Sequence, residues 1–297
     1  MSFEITCTSS QSNTGIPRCK EDLGYPKKFI FVPRGTEITT EALANTKATW
    51  TTLFNAAKAD RGYPFPVTIK NEPAANEPVY EELIGGRKEF VALKAGQSKY
   101  SLELTSLCYM KKLMTFNNGT WAVYIIDSNG RIWGLTDSTG LKFLPQDCFL
   151  RVDSPEMPTD ASIGKIPVTL QIANPTLFNE MGVSVKPTAF DPETELLGLQ
   201  DVTLTAGAIT ATTWVMTVKT TCDLVEVSGL VAGDFLIATA AAPTVDITHT
   251  TVESPDGTYT HTYATQSGAL VCNLKNQPAM TTKGYEAGTT NITATIV

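Results

Sequence analysis

The feature that most restricts the fold is the spacing of chain breakers. From Phe65 onward, short runs rich in Val, Ile, Tyr and Thr are separated at close intervals by Gly, Asn, Asp or Pro. An amphipathic helix needs an apolar stripe sustained over about 10 or more residues, whereas these runs alternate or stay apolar over strand lengths only. Strands are predicted at Pro66 to Lys70, Glu89 to Leu93, Tyr100 to Leu107, Thr120 to Asp127, Arg131 to Leu135, Phe149 to Val152 and Ile166 to Ala173. A loop over Asn174 to Gly182 and a weaker strand at Val183 to Pro187 follow. Asn118-Gly119 and Asn129-Gly130 read as two-residue type I′ hairpin turns, which need positive φ at both positions. The second places Trp121, Tyr124 and Ile126 on one strand of a hairpin and Ile132 and Trp133 on the other.

One helix interrupts this pattern. Thr39 and Thr40 are N-cap candidates, Glu41 lies in the first turn, and Leu43, Lys47, Trp50, Phe54 and Ala57 share a stripe that Gly62 and Pro64 end. Thr46, Thr49, Thr51 and Thr52 are poor helix formers, so packing of the Trp50 and Phe54 face must supply its stability. Ahead of it, Phe29 to Val32 read as a buried strand, and the polar stretch Ser9 to Gly15 as an arm. The connection Glu72 to Tyr80 is long enough to reach a neighbouring molecule. Beyond a connector at Phe190 to Leu196, Thr alternates with Val, Ile, Leu and Ala. Short strands are predicted there at Asp201 to Leu204, Thr213 to Val218, Leu224 to Val227, Asp234 to Ile237, Val245 to Glu253, Tyr259 to Thr265, Ala269 to Leu274 and Asn291 to Val297. The predicted class is mainly β. An extended arm over 1–26 precedes a β-sandwich, or strongly curled sheet, over 27–190 with a single helix at about 40–59, and an immunoglobulin-like sandwich occupies 197–297.

A length of 297 residues suits two domains that each bury their own core. The net charge of −7 and the lack of any Lys/Arg cluster remove the footprint expected of a nucleic-acid binder. They suit instead a channel wall to which DNA does not stick. The charge is uneven: the last arginine is Arg151, and after Gln200 only Lys219, Lys275 and Lys283 stand against eight acids. No apolar run approaches a bilayer span, and Met1 to Ser10 lack the pattern of a signal peptide, so a cytosolic protein without a membrane anchor is expected. None of the six cysteines forms a CxxC pair, and reduced, buried thiols are the leading expectation. Cys7 and Cys19 could close a loop, and Cys222 and Cys272 have an immunoglobulin-like spacing without a tryptophan between them.

Catalytic chemistry finds little purchase. With His249 and His261 the only histidines, a Ser-His-Asp triad cannot be built in the N-terminal part. The two flank Pro255-Asp256-Gly257, a turn that pairs Ser254 with Thr258 and so sets Thr251 opposite His261 and His249 opposite Tyr263. A metal would need further ligands there, so a packing face is favoured. Asp127-Ser128-Asn129-Gly130 opens like a calcium loop, but its glycine comes too early, and a hairpin turn is favoured. Gly85-Gly86-Arg87 lacks the rest of a phosphate loop and reads as a turn. Glu77, Glu81 and Glu82 form no recognisable catalytic pair. Asn118-Gly119-Thr120 and Asn291-Ile292-Thr293 fit a glycosylation pattern but read as turn and strand. The sequence therefore predicts no enzyme, no catalytic residues, no metal ligands and no cofactor.

In style the chain resembles virion structural proteins of tailed bacteriophages, in particular tail-tube-like and tail-ring proteins of phages of gut Bacteroidales such as the crAss-like group. The resemblance rests on Gly15-Ile16-Pro17-Arg18-Cys19 before the first strand, one early amphipathic helix, hairpins such as Tyr124 to Gly134, and the appended Thr/Ala/Val-rich sandwich. It implies a sandwich-plus-helix subunit, closed rings of six or twelve copies, a lumen through which DNA passes without specific binding, no cofactor, and contacts with other tail or neck proteins. The expected location is a virion assembled in the bacterial cytoplasm. Open sheet edges invite pairing with further copies, which suits such a ring. The alternative is a capsid decoration, fibre or adhesion protein binding host glycans through Trp121, Trp133 and Tyr263. A third reading is an enzyme acting on polysaccharide or peptidoglycan through Glu81 or Glu82.

Overall fold

A computed structural model describes residues 24–82, 87–117, 119–275, 277–287 and 291–296. The chain is mainly β and divides into two compact units between Gly198 and Leu199. Most of the arm predicted at 1–26, with Cys7 and Cys19, and the Gly85-Gly86 turn lie outside the described residues.

The first unit runs β1 (Pro26–Pro33), α1 (Glu41–Ala44), α2 (Lys47–Phe54), β2 (Tyr63–Pro64), β3 (Thr68–Glu72), β4 (Glu77–Glu82), β5 (Lys88–Lys94), β6 (Gln97–Glu103) and α3 (Leu107–Met114). It continues with β7 (Trp121–Asp127), β8 (Ile132–Thr136), β9 (Phe143–Leu144), β10 (Gln146–Val152), β11 (Lys165–Ile172), α4 (Pro175–Met181), β12 (Gly182–Val185) and α5 (Pro192–Glu195). Ten of these strands make one sheet whose main path is β12-β8-β7-β10-β11-β6-β3, with β1 paired along the free side of β7. The sheet curls until its ends meet: Thr68 Oγ1 donates to the Lys27 carbonyl at 3.1 Å and Asn71 Nδ2 to the Pro26 carbonyl at 2.6 Å.

Burial patterns follow from this curl. In β10 only alternate residues point inward, so Cys148, Leu150 and Val152 are buried while Asp147, Phe149 and Arg151 face out. In β1 every residue from Phe29 to Val32 is buried, because both faces are covered. Phe29 and Phe31 join the inner core with Val123, Leu150, Ile166 and Val168, while Ile30 and Val32 join a second core with Trp50, Phe54, Tyr124 and Ile126. Each such side chain contributes about 1.5–3 kcal/mol through loss of apolar surface to water.

The helix predicted at about 40–59 is two short helices and ends at Phe54. The buried Trp50 indole takes the Ala44 carbonyl as its acceptor at 2.9 Å, and Thr46 Oγ1 bonds back to Ala42 O at 2.8 Å. Both divert carbonyls that a continuous helix would use. The stripe is correspondingly narrower than predicted: Trp50 and Phe54 are buried, whereas Leu43, Lys47 and Ala57 are exposed. Two further helices within 27–190, α3 and α4, correct the expectation of a single one there. Helix α3 starts where Ser106 Oγ accepts from Tyr109 N at 3.1 Å, so the strand predicted to Leu107 stops at Glu103. Helix α4 replaces the predicted Asn174 to Gly182 loop, with Asn174 as N-cap and Pro175 in its first turn. Leu113 of α3 enters the inner core. Asn117 then holds Val152, accepting from its N–H at 2.6 Å and donating to its carbonyl at 2.9 Å. Gly119 therefore follows a helix rather than a strand and makes no hairpin, and Asn118 is outside the described residues. A Cβ at Gly119 would lie 2.2 Å from Trp121 Nε1, so close approach explains the glycine.

The second unit comprises β13 (Gln200–Ile209), β14 (Thr213–Thr220), β15 (Phe235–Thr239), β16 (His249–Glu253), β17 (Thr258–Tyr263), β18 (Ala269–Leu274), α6 (Gln277–Thr282), β19 (Tyr285–Ala287) and β20 (Ile292–Thr295). A five-stranded sheet, β16-β17-β14-β13-β19, and a three-stranded one, β15-β18-β20, share one core that includes Trp214, Met216, Phe235, Ile237, Tyr259 and Cys272. The predicted Leu224 to Val227 strand is a loop with one bridge, Lys219↔Glu226. Cys222 is disulfide-bonded and Cys272 is a buried free thiol, so the immunoglobulin-like Cys222–Cys272 bridge does not exist. Cys108 is also disulfide-bonded, against the expectation of reduced thiols, which holds for buried Cys148 and Cys272. Burial pushes the Cys148 thiol up to about 12 and that of Cys272 further up.

Candidate functional site

Among the described residues, strands β4 and β5 pair only with each other. The register sets Glu77 opposite Lys94, Tyr80 opposite Phe90, Glu81 opposite Glu89 and Glu82 opposite Lys88, with a bulge beside Tyr80. Every β4 residue is exposed, as is every β5 residue except half-buried Leu93. Tyr80 is 56% exposed, Phe90 52%, Val91 56% and Val79 43%, so this ribbon presents apolar surface on both faces. Its base is fixed: Gly96 N donates to Asn76 Oδ1 and Ala74 N to Ser98 Oγ, each at 3.1 Å. A Cβ on Gly96 would stand 2.5 Å from Ala75 O, which explains that glycine. Strand β5 also passes close to α4. The Glu72 to Tyr80 stretch, expected as a loose connection, thus contains the start of a strand, since β4 begins at Glu77.

The outward face of β10 is a second open surface of this unit. Phe149 is 58% exposed beneath the Arg34 guanidinium, 5.7 Å from its ring centroid. Arg34 also pairs with Asp147 at 3.7 Å, and Arg151 with Asp153 at 2.6 Å. Exposed pairs of this kind add about 0–1 kcal/mol, so they solubilise the face more than they stabilise it. A shallow groove of about 380 Å³ lies between the β7–β8 turn at Asn129-Gly130 and the Lys186 to Pro192 segment. Behind it, Lys28 is buried, donates to Glu193 O at 2.6 Å, and is lowered to about 8 by burial, with Glu193 and Asp191 opposing the shift.

The β7–β8 turn is held by a fully buried carboxylate. Asp127 Oδ1 accepts from Asn129 N at 2.9 Å and Arg131 N at 2.8 Å, and Oδ2 from Gly24 N at 2.8 Å and Trp133 Nε1 at 3.0 Å. Four N–H donors saturate it, which makes Asp127 a structural anchor and not a cation ligand. They also explain the turn geometry. Gly130 alone has positive φ, +74°, and Asp127 N bonds Arg131 O at 2.9 Å, so the hairpin closes through a longer turn with a glycine bulge rather than the predicted two-residue type I′.

The β16–β17 register is as the sequence predicts, with Thr251 opposite His261 and His249 opposite Tyr263. Both rings are buried, with centroids 5.3 Å apart. Among the described residues no three His, Cys, Asp or Glu are grouped to hold a metal ion. Glu77, Glu81 and Glu82 all lie on exposed β4. Of the proposed glycan platforms, Trp121 is half-buried against Phe116, Trp133 is half-buried against Phe178, and Tyr263 is buried with its hydroxyl on Thr210 O at 3.2 Å. Sequence reasoning missed Tyr80 and Phe90, because Phe90 opens the apolar run Phe90-Val91-Ala92-Leu93 and reads as an ordinary strand residue. No helix among the described residues is long and apolar enough to cross a membrane. No protein-family model matches the chain, and no curated protein matches it.

Proposed function

We propose that this chain is a structural subunit that assembles with copies of itself, and that the assembly is a ring of a phage tail or neck, with six or twelve copies around a DNA channel. The observation that carries self-assembly is the β4–β5 ribbon. An isolated two-stranded hairpin is marginal in water. This one exposes Tyr80, Phe90, Val79 and Val91 and sets Glu81 directly opposite Glu89, a repulsive arrangement. Such an element gains from a neighbour that covers its apolar surface and offers a cation to the acids. A ribbon on one part of a subunit engaging a different part of the next makes a heterologous contact, the kind that closes rings. The phage assignment rests on the family resemblance and on the net charge of −7, which suits a wall that DNA slides past. In this reading the C-terminal unit is an immunoglobulin-like domain that decorates the ring or locks neighbours, and the protein is not an enzyme.

The test is mass photometry and negative-stain microscopy of the purified protein, with proteomics of purified virions. Closed rings for the wild type, and folded monomers for a Tyr80→Ser, Phe90→Ser variant, support the reading. A strictly monomeric wild type at high concentration, absent from virions, overturns it.

A further inference from the structure

Both histidines of the chain are sealed in the C-terminal unit, and the N-terminal unit has none. His249 Nδ1 lies 2.8 Å from the Ile247 carbonyl, which can only accept, so that nitrogen carries the proton. His261 Nδ1 lies 2.9 Å from Thr251 Oγ1. The remaining Nε2 atoms are buried without a partner, as is Nε1 of Trp214, which stands opposite His261 on β14. The His261 ring packs on Phe235 of β15 with centroids 4.4 Å apart, so the imidazoles sit where the five-stranded sheet meets the three-stranded one.

Around His261 the shared core is apolar and phenolic. From β14 come Trp214 and Met216, from β15 Phe235, from β18 Cys272, and from β17 the phenols of Tyr259 and Tyr263. Tyr259 is already committed, its one proton shared between Val227 O and Glu253 Oε1 and its oxygen accepting from Leu230 N. The nearby carboxylate is Asp246, 3.9 Å from His249 Nδ1; it accepts from Ile237 N at 3.1 Å and is paired with Lys275. A proton on His261 would therefore be a buried charge beside a second imidazole.

We propose that His261, packed against His249, is an acid-operated joint: its protonation separates the two sheets of the C-terminal unit while the N-terminal unit stays closed. Burial, and secondarily His249, lower His261 to about 3, against about 6.5 for an unfolded histidine. The sign follows. The stabilisation from a neutral His261 is complete above about 6.5 and is lost as pH falls from there toward about 3, by up to about tenfold in the opening equilibrium per pH unit.

Each unit carries its own reporter, because Cys148 in the first and Cys272 in the second are buried free thiols. The experiment exposes the full chain to 4,4′-dithiodipyridine, which reacts in acid, and counts labelling at each cysteine by peptide mass spectrometry from about pH 7 to about pH 4.5. Labelling of Cys272 should rise relative to Cys148 by up to about tenfold per pH unit below about 6.5. The rise should flatten in His261→Phe and weaken in His249→Gln. A ratio that stays constant, a common rise at both cysteines, or full acid response in folded His261→Phe would each overturn the proposal. Should that variant fail to fold, the wild-type ratio still decides.

Discussion

Two hairpins of the N-terminal unit use the same backbone pairing and end in opposite situations. In β7–β8, Ile126 and Ile132 face each other fully buried, and a saturated carboxylate closes the turn. In β4–β5, Tyr80 and Phe90 face each other half in water. Hydrogen-bonded pairing therefore does not distinguish a core element from an appendage here; burial of the side chains does. A core hairpin should respond to substitution by unfolding the unit, and an appendage by losing its partner.

The largest expected effect is at Ile126. Ile126→Ala should cost about 2–5 kcal/mol in urea-induced unfolding, as for other large-to-small changes at fully buried sites. Asp127→Ala should follow at about 3 kcal/mol, because it strands the part-buried N–H donors of Gly24, Asn129, Arg131 and Trp133. Gly130→Ala forces a side chain onto φ +74° and should cost about 1 kcal/mol, read as a shift of the urea midpoint at constant slope. At the other hairpin, Tyr80→Ser with Phe90→Ser should change unfolding of dilute protein by less than about 0.5 kcal/mol while abolishing assembly. An unfolding cost there as large as that of Ile126→Ala would break the contrast. Glu89→Lys turns the Glu81 pair attractive and should protect β4–β5 amides from exchange by a few tenths of a kcal/mol.

What the sequence revealed and what it hid follow the same division. Of β10 only the half from Phe149 to Val152 was legible, because buried Gln146 and exposed Phe149 break the match between hydropathy and burial at its start. The β16–β17 register was legible because Gly257 and the flanking Ser254 and Thr258 fix it locally, with Ser254 N on Thr258 O at 2.9 Å. The break between α1 and α2 was not, because it depends on a side-chain bond that helix propensity does not report, the Trp50 indole on Ala44 O. The α3 and α4 caps at Ser106 and Asn174 were visible signals, but the apolar residues after them suited strand or loop equally well. The disulfides at Cys108 and Cys222 carry no spacing signature, since partners are chosen by the folded chain. The candidate assembly surface was hidden for a related reason: exposure of Tyr80 and Phe90 is a property of the sheet's path and not of their neighbours in sequence.

The pairing of β1 with β7 has a consequence for biosynthesis. Phe29 meets Ile125 and Phe31 meets Val123, so the first described strand waits for residues far downstream before it gains its hydrogen-bonded neighbour. While a ribosome is still making the intervening segment, Phe29 to Val32 form a bare sticky stretch on the nascent chain. Long-range closure of this kind slows folding. Pauses in translation before Asp127 should therefore lower the yield of soluble protein more than pauses after it.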